Sequence, residues 1–586
     1  MKRKKIFLII ILLVACVLRL WGLSKVPISL FGDELDVGYH AYSVFKTGRD
    51  YYGNFMPLHF HSIAEWRTPL YIYAAVPTVA VFGISSLGVR LPAAIFGIFG
   101  IWGMYLMVTE VVKYPSKRKS ERKETLKFYL PLLAALLLTL SPWHIQYSRA
   151  AFEVTQLIAF LLFGLYFFFR SLQTAGKNLW LSVVFLTLTP WIYSTAKLFT
   201  PLLMIFLFIV WRKEILSFSK NKIISSIVAG VIIGLPVAYS TVFGGGTQRA
   251  AYTSVFTNPT VEHEVGVDRL RDAEMRGEVH EGLSPELSDR IFHNKFTLWW
   301  ENISRNFLES FSFNFLFNVG DPNPRHSVQG VGQFYIVELI PFVLGLVFFF
   351  ISAFSGKLKA LVMFWVIAGA FPASLTRDGG NHATRLILIL PPLIFLIAYG
   401  IYTAVIKLNT NIRKLAIFAY AFILLIFILF YQHTYWVHYP WDSERWWHAG
   451  FKEAIQYIKE VDSSYERVVI TMSGEPAWIF FAGWYEYPPS KWQENFPIEN
   501  KVFLEGFGEV SYIDRYYFGS FSPEAGGIYD LPEYISAHDL YLASATEIGV
   551  NLIREPERTP PGLSLEKAVS YPSGEPAFYL FSGTKQ

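Results

Sequence analysis

The feature that most constrains this chain is a succession of apolar stretches long enough to cross a bilayer. They begin near Ile6, Ser86, Phe128, Val154, Leu179, Leu198, Ile223, Gln333, Leu358, Leu386 and Leu415, about eleven in all at roughly 20 residues per crossing. Backbone in hydrocarbon must satisfy its own hydrogen bonds, so each stretch reads as a helix. Composition agrees, with 53% hydrophobic against 17% charged residues over 586 positions, and it excludes an ordinary soluble multidomain protein. The predicted fold class is a polytopic α-helical membrane protein. The first apolar stretch follows "MKRKK" and has no small-residue cleavage site, so it is expected to stay as a first helix with its N-terminus cytoplasmic.

Charge placement tests that topology. The loops "KYPSKRKSERKETLK", "RSLQTAGKN", "WRKEILSFSKNK", "SGKLK" and "IKLNTNIRK" all fall on one side when the N-terminus is inside, the pattern of cytoplasmic loops, and this puts the C-terminus outside the plasma membrane. The net charge of +5 is spread over those loops; it reports topology and points away from nucleic acid. The lone cysteine, Cys16, lies in the first apolar stretch, which excludes a disulfide framework and a thiolate metal cluster.

The opposite face holds most of the polar variety: a first outer loop (24–84), the turn "SPWHIQYSRAAFE", a long outer loop (241–332), the short "TRDGGNHATR", and everything past Gln432. A transmembrane domain over 1–433 and a soluble extracytoplasmic α/β domain over 434–586 are expected. In the latter, Trp447, Phe451, Ala454, Ile455 and Ile458 follow helical spacing, and "ERVVITM", "HDLYLAS" and "AFYLFS" read as strands. The segment His61–Gly83, entered through Pro69 and containing Pro77, is short for a crossing and is expected to lie in the outer interface.

"FGDELDVGYHAY" at the start of the first outer loop raises the chemical question. Asp33 can be the N-cap of a short interfacial helix whose apolar positions are Leu35, Tyr39 and Tyr42. Alternatively, one carboxylate is a general base tuned by its neighbour. Arg67, Arg90, Arg149, Arg325 and Arg385 share the same outer side. Each alone could snorkel to headgroups; together with acids they suit a phosphate, which arginine grips in bidentate fashion. A lipid phosphate leaving group needs charge neutralisation more than a proton, so a single carboxylate base suffices.

"FGDELDVGYHAYSVFKTGRDYYGNFMPLHF", "RTPLYIYAAVPTVAVFGISSLGVRLPAAIFG" and "SPWHIQYSRAAFE", in this order, resemble the bacterial protein O-mannosyltransferase and aminoarabinose transferase-like family of GT-C glycosyltransferases (glycosyltransferase family 39). The resemblance covers the first third of the chain and runs more loosely through "LFNVGDPNPRHSVQGVGQFY" and "GGNHATRLILILPPL" to about Gly400. It implies an inverting glycosyltransferase that moves a mannose-like hexose or a pentose from a polyprenyl-phosphate donor to a hydroxyl of a protein, lipid or cell-envelope glycan on the outer face. Carried onto matching positions, it implies Asp33 as base with Glu34 beside it, and Arg67, Arg90, Arg149 and Arg385 around the donor phosphate. Thr68 stands where the family has a proline. Glu153, Arg325, His326 and His382 are expected to contact substrate, and Arg149 with Glu153 could equally be a structural ion pair.

No HxxxH or HExxH occurs, so no metal ligands are assigned, although a divalent cation is compatible with the outer-side histidines, His144 among them. An oligosaccharyltransferase-like enzyme or a polymer ligase is the nearest rival; the former carries Trp-Trp-Asp where this chain has Trp446-Trp447-His448. The rival of a different class is a lipid or sugar transporter or flippase, against which charges confined mostly to the ends of spans count.

Overall fold

The structure is a computed structural model that describes residues 2–584 apart from 64–65, 115–121, 245–246, 279–284, 475, 498 and 522–526. The middle of the basic run Lys113–Lys127, residues 115–121, therefore lies outside the described residues. The chain forms two compact units, one of residues 1–18, 96–147 and 153–431, the other of residues 19–95, 148–152 and 432–586.

The first unit is helical. A helix occupies each of the expected apolar segments, but among the described residues six are both long and apolar enough to cross a membrane, seven if the bent pair Glu124–Leu140 and Pro142–Ser148 is one crossing. The expected count of about eleven is not reached by that measure, for two physical reasons. Lys2–Leu20 opens on Lys-Arg-Lys-Lys and Ala196–Leu216 closes on Trp-Arg-Lys-Glu, which dilutes their apolar windows. Leu179–Trp191 and Ile336–Ile351 are short. Leu339–Ile351 and Leu390–Ile406 cross backbone to backbone: a Cβ on Gly345 would strike the Leu396 carbonyl, and one on Gly400 the Pro341 carbonyl. Close packing of this kind holds helices together where no hydrophobic effect is available to do so.

The second unit is built on a seven-stranded sheet with the order 501–504, 508–513, 516–518, 467–470, 539–544, 576–583, 563–570. Strand Arg467–Ile470 runs parallel to both its neighbours, and the remaining pairings are antiparallel. Successive side chains of a strand point to opposite faces. Val468, Ile470, Leu540 and Leu542 thus enter one core while Val469, Tyr541 and Ala543 enter another. The three strands expected from sequence are all in this sheet. The expected helical stripe is present as Phe451–Val461, with Phe451, Ala454, Ile455 and Ile458 buried.

The first outer loop shares the larger core of this sheet domain. Helix Gly32–Thr47 contributes Leu35, Val37, Tyr39 and Ala41 to the same cluster as Phe451, Ile470 and Trp478. Leu35 packs directly on Gly483, Tyr39 donates a hydrogen bond to the Tyr487 carbonyl (2.9 Å), and Gln493 Nε2 donates to Ser43 Oγ (3.0 Å) and the Asp50 carbonyl (2.8 Å). Thus Gly32–Thr47 is a core helix of sixteen residues and not a short surface one. Leu70–Phe82, by contrast, has the thirteen-residue length expected of a segment that does not cross.

Candidate active site

The acids of "GDELD" occupy the first turns of Gly32–Thr47. The N-cap is Phe31, whose carbonyl accepts from the backbone N–H groups of Glu34 and Leu35 (both 3.0 Å), so Asp33 is the second helical residue and not the cap. Carboxylates in this first turn complement the positive end of the helix dipole. Because consecutive helical residues are rotated by about 100°, Asp33, Glu34 and Asp36 leave the helix in different directions and meet different partners.

Glu34 is sealed. Its Oε1 accepts from Arg90 Nε (2.8 Å) and from the Ala151 backbone N–H (2.7 Å), and its Oε2 accepts from Arg90 Nη2 (2.7 Å). Arg90 is fully buried, donates further to the carbonyls of Pro27 (2.8 Å) and Ser29, and lies 5.2 Å from the ring centre of Trp447. Arg149 is equally buried. It donates to Tyr435 Oη (3.0 Å) and to the carbonyls of Trp21 (2.8 Å), Gly22 (3.1 Å) and Val26 (3.0 Å), with Trp436 across its face. The donors of Arg90 and Arg149 are thus directed into the protein, fastening the 21–29 segment. Helical spacing suggests that both tryptophans are core; Trp447 is buried, though it precedes the helix Phe451–Val461, whereas Trp446 is 44% exposed.

Asp33 and Asp36 share a different arginine. Arg67 Nη2 stands 2.5 Å from Asp33 Oδ1, and Arg67 Nε 2.9 Å from Asp36 Oδ2. Arg67 is held at the end of a two-residue hairpin in which Phe60 pairs with Arg67 and His61 with Trp66. Ser62 receives Arg67 Nε (2.9 Å) and donates to Asp36 Oδ2 (2.8 Å), while Tyr51 donates to Asp36 Oδ1 (2.6 Å). The Asp36 side chain is inaccessible, whereas that of Asp33 is 52% exposed. Burial pushes the Asp36 carboxyl above its usual range, and the Arg67 charge works against that shift. Burial also lowers His40 to about 3. His40 is therefore neutral; its Nε2 faces the His61 carbonyl at 3.0 Å and its ring stacks on Tyr51.

The other sequence-derived candidates lie in the helical unit. Arg385 donates to Thr376 Oγ1 (2.8 Å), pairs with Asp378, and lines a cavity of about 420 Å³ together with Lys197, Ser194, Thr195 and Thr253. His326 and His382 are brought together with ring centres 4.6 Å apart. The neighbouring Arg325 is half-buried, and its carbonyl accepts from Gln146 Nε2 (2.8 Å). Glu153 is half-buried at the N-cap of Val154–Gln173.

No protein-family model and no curated protein sequence matches the chain. Solved structures do match. The crystal structure of ArnT from Cupriavidus metallidurans bound to undecaprenyl phosphate is similar with a TM-score of 0.50 at 9% identity, over 98% of this chain and 97% of that one. The chain has the GT-C fold. Two further GT-C structures match at scores too low to add to this. They are the Archaeoglobus fulgidus oligosaccharyltransferase tethered to an acceptor peptide (TM-score 0.47, 13% identity, 82% of this chain and 63% of that chain) and the S. cerevisiae Pmt1-Pmt2 protein O-mannosyltransferase complex bound to the sugar donor (0.30, 18%, 41% and 32%).

On this GT-C frame, sequence reasoning singled out Asp33, Glu34, Arg67, Arg90 and Arg149, and the structure gathers all of them in one unit. It passed over Lys197, which shares the Arg385 cavity but reads in sequence as an isolated span-end cation. Asp321 was also missed, although "GDPNPRH" places it five residues before His326. The Asp36 side chain is completely buried, with both carboxylate oxygens hydrogen-bonded.

Proposed function

We propose that this chain is an integral-membrane glycosyltransferase that moves a sugar from a polyprenyl-phosphate donor to an acceptor hydroxyl on the outer face of the plasma membrane, with inversion and with Asp33 as general base. The observation that carries the reading is the contrast among the three acids of one helix turn. A base must receive its proton at an atom the substrate can reach, and Asp33 alone of Asp33, Glu34 and Asp36 has a substantially exposed carboxylate.

In this reading the acceptor oxygen attacks the anomeric carbon, its proton passes to Asp33, and the sugar–phosphate C–O bond breaks to release polyprenyl phosphate. The phosphate leaves as a weak base and needs positive charge at the moment of departure. Arg67 is the cation beside the base and fixes the Asp33 side chain. Within the helical unit, Arg385 and Lys197 line one largely apolar cavity and are the cations there that suit a phosphate. Glu34, Arg90 and Arg149 become positioning residues, since their polar atoms are engaged inside the protein.

The binding of undecaprenyl phosphate by the ArnT structure supports the donor class, and the apolar spans with basic loops on one side support a multi-pass protein with its N-terminus in the cytoplasm. The test uses purified protein with a polyprenyl-phosphate sugar and candidate acceptors, and reads the product by mass. Turnover that disappears in Asp33→Asn with donor binding kept supports the assignment. Donor that is never consumed, while labelled lipid crosses a liposome bilayer, replaces the enzyme with a flippase.

A further inference from the structure

Three metal-capable side chains converge from two loops of the helical unit. Asp321 and His326 come from the loop after the π-turn Asn314–Asn318, and His382 from the loop before Ile387–Ile389. One donor atom of each lies within 4.8 Å of the other two. Asp321 is buried, and His326 is only 12% exposed. Zinc–nitrogen and zinc–oxygen bonds of about 2.1 Å in a tetrahedron put ligand atoms roughly 3.4 Å apart, so small rotations about the side-chain torsions close the set. His326 Nδ1 and Asp321 Oδ2 are already 3.0 Å apart. An ion bound there takes the place of the proton they share.

The surroundings hold these groups before any ion arrives. Asp321 Oδ2 also accepts from the Ala383 backbone N–H (2.7 Å), which ties its loop to the residue next to His382, and Oδ1 accepts from Asn323 N–H (2.8 Å). The short helix Pro142–Ser148 braces both loops. Gln146 Nε2 donates to the Arg325 carbonyl (2.8 Å), Trp143 Nε1 to the Ala383 carbonyl (3.2 Å), and Tyr147 Oη bonds Thr384 Oγ1 (2.7 Å). At Gly320, φ is +82° and a Cβ would collide with Ser327 Oγ and the Val331 carbonyl, so the turn feeding Asp321 is open only to glycine. Such outer contacts are what orient ligands in metal sites.

We infer that Asp321, His326 and His382 form a binding site for a divalent transition-metal ion of the zinc class. Two imidazoles and one carboxylate suit zinc and its neighbours, whereas magnesium and calcium favour all-oxygen sets. Three protein ligands leave a fourth position for water or an anionic oxygen. The site does not depend on the transferase reading.

The test is metal content and affinity of the full-length protein in detergent, stripped with chelator, purified without a histidine tag and titrated with Zn²⁺ alone. The expected result is one Zn²⁺ retained per chain after desalting, no competition from excess Mg²⁺, and affinity at least tenfold weaker in His382→Ala and His326→Ala. His538→Ala, which removes a histidine of the other unit, should leave binding unaltered. Absence of stoichiometric Zn²⁺, or equal affinity in His382→Ala, overturns the site. If the histidine variants fail to fold, Co²⁺ in the unmodified chain gives the answer. Intense visible bands of four-coordinate cobalt support the site, and the weak spectrum of a six-coordinate ion overturns it.

Discussion

Glu34–Arg90 and Asp33–Arg67 are acid–arginine pairs from adjacent residues of one helix, yet they do opposite things. The Glu34 pair is bidentate, with side chains 1% and 0% exposed; in the other pair Asp33 is 52% exposed. One residue of helical rotation separates a carboxylate facing the core from one at the rim. A buried ion pair is costly to assemble and destructive to break, so it suits a clamp, while a rim carboxylate remains within reach of a substrate. The pairing of acid with arginine does not by itself mark chemistry; exposure decides which pair can perform it.

The largest effect should come from breaking the sealed pair. Arg90→Ala leaves Glu34 buried without its cation and should destabilise the sheet-bearing unit by about 3–5 kcal/mol, read as a fall in Tm of the detergent-solubilised protein. Asp33→Asn should do the reverse: Tm nearly unchanged, and turnover lower by about 10²-fold or more, the usual worth of a positioned general base. If Asp33→Asn instead cost several kcal/mol of stability while keeping its rate, the two pairs would have exchanged roles.

A smaller effect tests the wall behind Asp33 through pH. In the unfolded chain His40 titrates near 6.5; folded, burial holds it at about 3. Between those values the unfolded chain binds the extra proton, so stability falls as pH drops from about 6.5 towards 3. At pH 5 the loss is about 2 kcal/mol. Asp36 pulls the other way. With its folded pKa raised, the fold keeps a proton that the unfolded chain releases above about pH 3.8, and this contribution weakens the fold as pH rises. Replacing His40 by Gln should narrow the difference in Tm between pH 7 and pH 5, and an undiminished difference would place the acid sensitivity elsewhere.

The comparison also marks how far the sequence could be read. Long apolar helices and the strands around Val468, Leu540 and Leu580 were legible because periodicity is a local property. Asp33, Glu34, Arg67 and Arg90 were legible as a group, since acids and arginines at loop and span ends are conspicuous in an apolar chain. Their division into rim and core was not, because it depends on Leu35 packing against Gly483 and on Ala151 donating to Glu34, contacts between residues more than a hundred positions apart. The first outer loop looked like a membrane-surface element for the same reason: the core it joins is supplied by residues past 450. Asp321 was invisible as a partner of His382 because the link is a backbone N–H across 62 residues.

The smallest expected effect is also the most discriminating between neighbouring acids. Tyr51→Phe removes the 2.6 Å hydrogen bond to Asp36 Oδ1 but keeps the ring on which His40 stacks. Asp36 still receives Ser62 and Arg67 at Oδ2, so the loss should be about 1.5 kcal/mol, the low end for one hydrogen bond to a charged group. If Asp36 only anchors Arg67, turnover per folded molecule should change little, because Arg67 retains its contacts to both acids and to Ser62. A loss of turnover in Tyr51→Phe as deep as in Asp33→Asn, with Tm unchanged, would make Asp36 the acid that the reaction depends on. The rim carboxylate would then be its accessory, and exposure would no longer be the property that separates chemistry from clamping in this helix.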